Sequence, residues 1–167
     1  MHRYSRALII FGCLLVLGYT AYFVLAKERI LDRGELVLFR LVPVDPRSLL
    51  QGDYMRLRYA IGEEVARDSL PPRGYLIFRR DPGGVAQFVR IQAEPHPLAA
   101  EEGRLLYRRR RAGAIRPGNL RIGPEDYFFE EGRGEDFAGA RYGGMRVDDR
   151  GEAVLVGLYD EAGNLIR

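Results

Sequence analysis

PVDPRSLLQGDYMRLRYAI, residues Pro43 to Ile61, is the most fully specified stretch of a chain of 167 residues. Asp45 is placed to cap a helical turn, because its carboxylate can accept backbone N–H groups two and three residues on. Pro46 suits the first helical position, where a missing N–H costs nothing. Leu49 and Leu50 supply the buried side of that turn, and Gly52 tolerates the left-handed backbone that ends it. A strand follows over Asp53 to Ile61. Met55, Leu57, Tyr59 and Ile61 alternate onto its core face, while Tyr54, Arg56 and Arg58 take the other. Asp53 shares the apolar face but opens the strand, where a carboxylate bonds loop N–H groups. Turn chemistry alone accounts for the aspartate, proline and glycine residues, so the stretch reads first as a tight corner between two strands.

Outward from that corner, the chain reads as short strands punctuated by turns. Glu35 to Val42 (ELVLFRLV) is apolar on nearly both faces, the pattern of an interior strand. Gly62 to Arg73, with Pro71 and Pro72, is a loop. Tyr75 to Arg80 and Val85 to Ile91 flank Asp81-Pro82-Gly83-Gly84, the clearest hairpin signal in the chain. Ala93 to Gly103 is a loop broken by Pro95 and Pro97. Arg104 to Arg111, Asn119 to Ile122 and Tyr127 to Glu130 read as extended, and Glu135 to Tyr142 as one short helix. Met145 to Asp148 and Glu152 to Leu158 flank a second hairpin turn, and Glu152 to Leu158 again has the pattern of an interior strand. The fold class that results is mainly β: one antiparallel barrel- or sandwich-like domain with at most one or two short helices.

The N-terminus differs in kind. Met1 to Arg6 forms a short basic tail, and Ala7 to Ala26 is a run of twenty residues without a charge. That length crosses a hydrocarbon core as a helix. Tyr19, Tyr22 and Phe23 gather at its far end, where amphipathic rings suit the membrane interface. A cleaved signal peptide with Val24 and Ala26 at its cleavage site is the alternative, but secretory apolar cores are shorter than this run. The expected partition is therefore a cytoplasmic tail (1–6), a transmembrane anchor (7–26) and an extracytoplasmic domain (27–167). Basic residues nearly balance across the span, so orientation rests on the usual layout of a short basic tail before a large external domain. The location expected is the inner (plasma) membrane, single-pass.

Composition narrows the function classes. The formal net charge is +3, and from Lys27 onward 24 basic residues face 23 acidic ones, which is no nucleic-acid footprint. Cys13 is the single cysteine, so no internal disulfide and no multi-cysteine metal site can form. His96 stands between two prolines in a loop with no ligand spacing around it. No cofactor is implied.

GDYMRLRY, Gly52 to Tyr59, matches position for position the signature of the bacterial GDYXXLXY family at Gly52, Asp53, Tyr54, Leu57 and Tyr59. The lead-in PVDPRSLLQ resembles that family too, as do EDYFFEEGRGEDFAGARYG and RVDDRGEAVLVGLYD further on. The resemblance implies a small membrane-anchored protein, often associated with a multi-pass membrane domain, and no particular activity. It marks Asp45, Arg47, Gly52, Asp53, Tyr54, Arg56, Leu57, Arg58 and Tyr59 as the motif and candidate binding residues.

Three other constellations compete with that reading. Ser48 ahead of Gly52-Asp53 is similar to the arrangement in membrane-bound serine peptidases, but a nucleophilic serine needs a base within reach. Lys27 abuts the membrane, and arginine does not deprotonate. Acidic residues gather at Glu125, Asp126, Glu130, Glu131, Glu135 and Asp136. Asp53 with Glu130 or Glu131 could in principle form the carboxylate pair of a cell-envelope hydrolase, while the plain reading is a solvated rim. Arg104 to Arg121 holds seven arginines and no acid; it either pairs with the acidic segment or lies along anionic headgroups, with internal pairing favoured. The leading expectation is an anchored extracytoplasmic domain that binds another membrane protein without catalysis. Tyr54 is the motif residue that burial does not explain, and a second layer from Glu135 to Tyr142 is expected to cover it.

Overall fold

A computed structural model describes residues 2–42, 54–65, 70–110 and 120–167, with side chains from residue 8 onward. It opens with one long helix, α1 (His2–Arg33), and continues, among the described residues, as nine strands. The apolar run does not set the helix end. Ala-Lys-Glu-Arg at the end of the run are good helix formers, and the helix continues until the Gly34 N–H closes its last turn on the Ile30 carbonyl at 2.8 Å. Ile30 is buried against the domain, and Lys27 pairs with Glu152 at 2.7 Å.

The strands are β1 (Glu35–Arg40), β2 (Tyr54–Arg56), β3 (Arg73–Arg80), β4 (Ala86–Gln92), β5 (Glu102–Arg109), β6 (Leu120–Arg121), β7 (Asp126–Phe128), β8 (Tyr142–Val147) and β9 (Ala153–Tyr159). They form a three-stranded sheet β1-β8-β9, a four-stranded sheet β4-β3-β5-β6 and a two-stranded ribbon β2-β7, with every strand pair antiparallel. The two larger sheets face each other across Phe39 and Phe78, whose rings meet edge to face at 5.6 Å. No closed barrel forms among the described residues, so the domain is sandwich-like. Among the described residues there are also two short 3-10 helices, Ala60–Gly62 and Gly134–Phe137.

Both hairpin turns read from the sequence are present and share one design. Asp81 accepts the Gly83 and Val85 N–H groups on its carboxylate at 2.9 Å, and Asp148 accepts those of Arg150 and Glu152 at 3.0 and 2.7 Å. Each turn closes with a glycine at positive φ, Gly84 at 78° and Gly151 at 83°, where a Cβ is unfavourable. Each turn also clips onto the opposite sheet: Leu38 donates to the Gly84 carbonyl at 3.0 Å, and Leu106 to that of Gly151 at 2.8 Å.

The strands expected to lie inside a sheet do not. β1 and β9 are the edges of their sheet, and β8 lies between them. Burial of Val37, Leu38 and Phe39 comes instead from cover on both faces and from the Gly84–Val85 turn bridging the free edge of β1. The C-terminus covers β9 similarly, with Ile166 donating to the Leu158 carbonyl at 2.9 Å. The helix expected over Glu135 to Tyr142 is only the 3-10 turn ending at Phe137. From Tyr142 the chain is already strand, because Gly143 and Gly144 lie under aromatic rings. A Cβ on Gly143 would stand 3.0 Å from the Tyr59 ring, and one on Gly144 would run into Tyr159.

The loop before β5 is fastened by Arg90, which grips both carboxylate oxygens of Glu102 at 2.6 and 2.8 Å. That guanidinium, together with the Ala99 N–H, holds the Glu102 carboxyl at about 2, against an ordinary 4.5. A carboxyl depressed in the folded state contributes stability above its ordinary value and loses it as pH falls through the folded one. The melting temperature should therefore drop between pH 4.5 and pH 2. In Glu102→Gln that part of the acid profile should be flatter; an unchanged profile would show that the pair does not contribute.

Candidate functional site

The motif strand is stitched to two neighbouring segments. β2 pairs with β7 in the register Tyr54↔Phe128, Met55↔Tyr127 and Arg56↔Asp126. The Leu57 N–H then donates to the Glu125 carbonyl, and the Val42 N–H to that of Arg58, both at 2.8 Å. Tyr59 bridges to Leu41. The strand expected over Asp53 to Ile61 is thus a short ribbon that hands over to β1 and ends in a 3-10 turn. Asp45, Arg47, Ser48, Gly52 and Asp53 lie outside the described residues.

Leu57, Tyr59 and Ile61 are buried and Met55 packs against the core, as the alternation predicts. The Tyr59 hydroxyl donates to the Pro124 carbonyl at 2.7 Å, and its ring meets Phe39 edge to face at 6.4 Å. Burial first, and the nearby Glu125 charge second, raise its pKa well above the ordinary phenol value. The second and third fixed side chains of the YXXLXY half are therefore core residues.

Beside Tyr59 lies a small polar hollow of about 20 Å³, bounded by Arg58, Glu63, Arg110 and Glu125. Two ion pairs close it, Arg58 with Glu63 and Arg110 with Glu125. The second pair is mostly buried, its side chains 15% and 10% exposed. It joins the arginine run to the acidic segment, the internal pairing favoured from the sequence. A hollow this size admits about one water molecule, so it is a structural feature and no substrate cleft.

The opposite face of the ribbon is different. Tyr54 is half-buried, and the residue beside it is Phe128, ring centroids 5.8 Å apart. Phe128 is 74% exposed, far more than any other large apolar residue described beyond α1. The Glu135 to Tyr142 segment does not cover Tyr54. Its Phe137 stacks on Phe129 and meets Tyr127, on the face that Met55 shares. What remains is a half-buried tyrosine beside an exposed phenylalanine, with Arg56 on the same strand.

A family model described as GDYXXLXY protein matches residues 16–158. The chain belongs to the GDYXXLXY family. No curated protein and no solved structure matches it. Within the GDYXXLXY signature, the structure separates two roles: Leu57 and Tyr59 build the core, and Tyr54 stands on the outward face of the ribbon. Phe128 lies outside the signature, and sequence reasoning misses it. The run Tyr127-Phe128-Phe129 holds the signal, since alternation on a strand forces the middle ring away from its neighbours. Glu130 and Glu131 are exposed and do not line the hollow beside Tyr59. Lys27 is engaged by Glu152, and His96 sits in a loop where no described His, Cys, Asp or Glu group forms a metal-sized cluster.

Proposed function

We propose that the chain is a membrane-anchored interaction module that performs no chemistry. Residues 7–26 cross the inner (plasma) membrane once, residues 1–6 stay in the cytoplasm and residues 27–167 stand outside. One helix, Leu8–Arg33, is long and apolar enough for that crossing. The partner is another membrane protein, and it docks on Tyr54 and Phe128 with Arg56 at the rim. The observation that carries this reading is the exposed Phe128 ring beside the motif tyrosine. Aromatic and arginine residues are what protein interfaces concentrate, and folding gains little from a ring left 74% exposed.

The test has two arms on the full-length chain in its own membrane. Protease added to spheroplasts should remove the domain, and protection behind a sealed membrane would overturn the orientation. Phe128→Ala should cost no more than about 1 kcal/mol of stability, the scale of one aromatic pair, yet abolish co-purification of the partner. Co-purification unchanged in Phe128→Ala would overturn the docking face.

A further inference from the structure

Three arginines stand in a row on the four-stranded sheet. Arg73 of β3 lies directly opposite Arg108 of β5, and Arg108 directly opposite Arg121 of β6. Residues directly opposite in a ladder project from the same face. Here it is the outer face: the flanking residues Gly74, Tyr107, Leu120 and Ile122 are buried, and all three arginines are exposed. Like charges placed directly opposite destabilise a sheet, so folding gives no reason for the row.

Other arginines of this stretch are accounted for. Arg110 pairs with Glu125, and Arg104 and Arg109 donate to backbone carbonyls. Arg73, Arg108 and Arg121 make no ion pair or side-chain hydrogen bond with any described residue. Glu94 would face Arg73 if β4 continued, but β4 ends at Gln92 and no ion pair joins the two. Residues 111–119, between β5 and β6, add two arginines and no acid.

We propose that the row is an anion site for a diphosphate group carried by a water-borne ligand. Directly opposite Cα atoms lie about 4.5–5.5 Å apart. Three guanidinium forks so spaced fall within reach of two linked phosphates, each fork taking a pair of oxygens. Carboxylates on one side of an extended peptide recur only about every 7 Å, a wider spacing than that of the row. Position favours a solute over a headgroup. Arg80, at the other end of β3, pairs with Glu35 just past α1. Seven residues of strand, about 23 Å, separate Arg80 from Arg73, more than twice the distance over which exposed charges act. The row is separate from the docking face at Phe128, which lies on the ribbon β2-β7, and stands without it.

The test titrates inorganic pyrophosphate into the full-length protein in phosphatidylcholine nanodiscs. Pyrophosphate should bind and raise the melting temperature. Arg108→Gln removes the centre of the row and should weaken that binding about tenfold, the loss of one charge-assisted contact. Without ligand the same variant should melt no lower than the parent, because a like-charge contact is gone. Arg150→Gln, exposed in the Asp148 turn, should leave binding unchanged. Absence of pyrophosphate binding, a destabilised Arg108→Gln, or an equal loss in Arg150→Gln would overturn the proposal. Tighter binding of polyglutamate than of pyrophosphate would overturn it in favour of an acidic protein. Loss of pyrophosphate binding when phosphatidylglycerol replaces part of the lipid would overturn it in favour of headgroups.

Discussion

Tyr59→Ala should cost about 3–5 kcal/mol of folding stability, the range for truncating a buried large aromatic. The ring is 6% exposed, lies against Phe39 and lies over Gly143. Gly143 has no side chain with which to refill the space, so the cavity would persist. Tyr59→Phe keeps the packing and loses only the hydrogen bond to Pro124, leaving a carbonyl without its donor; about 1–2 kcal/mol is expected. Denaturant melts of the detergent-solubilised full-length protein check both. A Tyr59→Ala loss below that of Tyr59→Phe would mean the tyrosine is kept for its hydroxyl and not for the core.

Arg110→Met is expected to cost up to about 3–5 kcal/mol, because it removes the guanidinium paired with a mostly buried carboxylate. Glu125 is the residue left behind, only 10% exposed and close to the Tyr59 hydroxyl. The same principle predicts recovery when the charge is removed from both sides. Arg110→Met with Glu125→Gln should regain more than half of the loss, since an amide keeps hydrogen-bonding capacity without the buried charge. Additive losses in the double variant would show that the pair is no coupled unit.

Local chemistry made much of this molecule legible. The Asp81 and Asp148 turns could be read because each depends on an aspartate and a glycine a few residues apart. The core face of Met55 to Ile61 could be read because alternation on a strand is a local rule. What could not be read depends on distant contacts. β8 is the central strand of its sheet although YGGM resembles a loop, and the reason is two rings, Tyr59 and Tyr159, from elsewhere in the chain. The apolar pattern of β1 and β9 reports burial and says nothing about sheet position, because loops and the C-terminus cover edges as well as strands do. The helix runs past Ala26 because charged residues end an apolar run without ending a helix. At the site, the outward face of Tyr54 was legible, but its neighbour Phe128 required the register of β2 on β7.

The docking face is tested most directly by a photo-cross-linking phenylalanine at position 128 of the full-length chain in its own membrane. Position 106, where Leu106 is 37% exposed on the four-stranded sheet, serves as the comparison. An adduct with one membrane protein is expected from position 128, weakened by Tyr54→Ala, and none from position 106. No adduct at 128, or the same adducts from both positions, would contradict it.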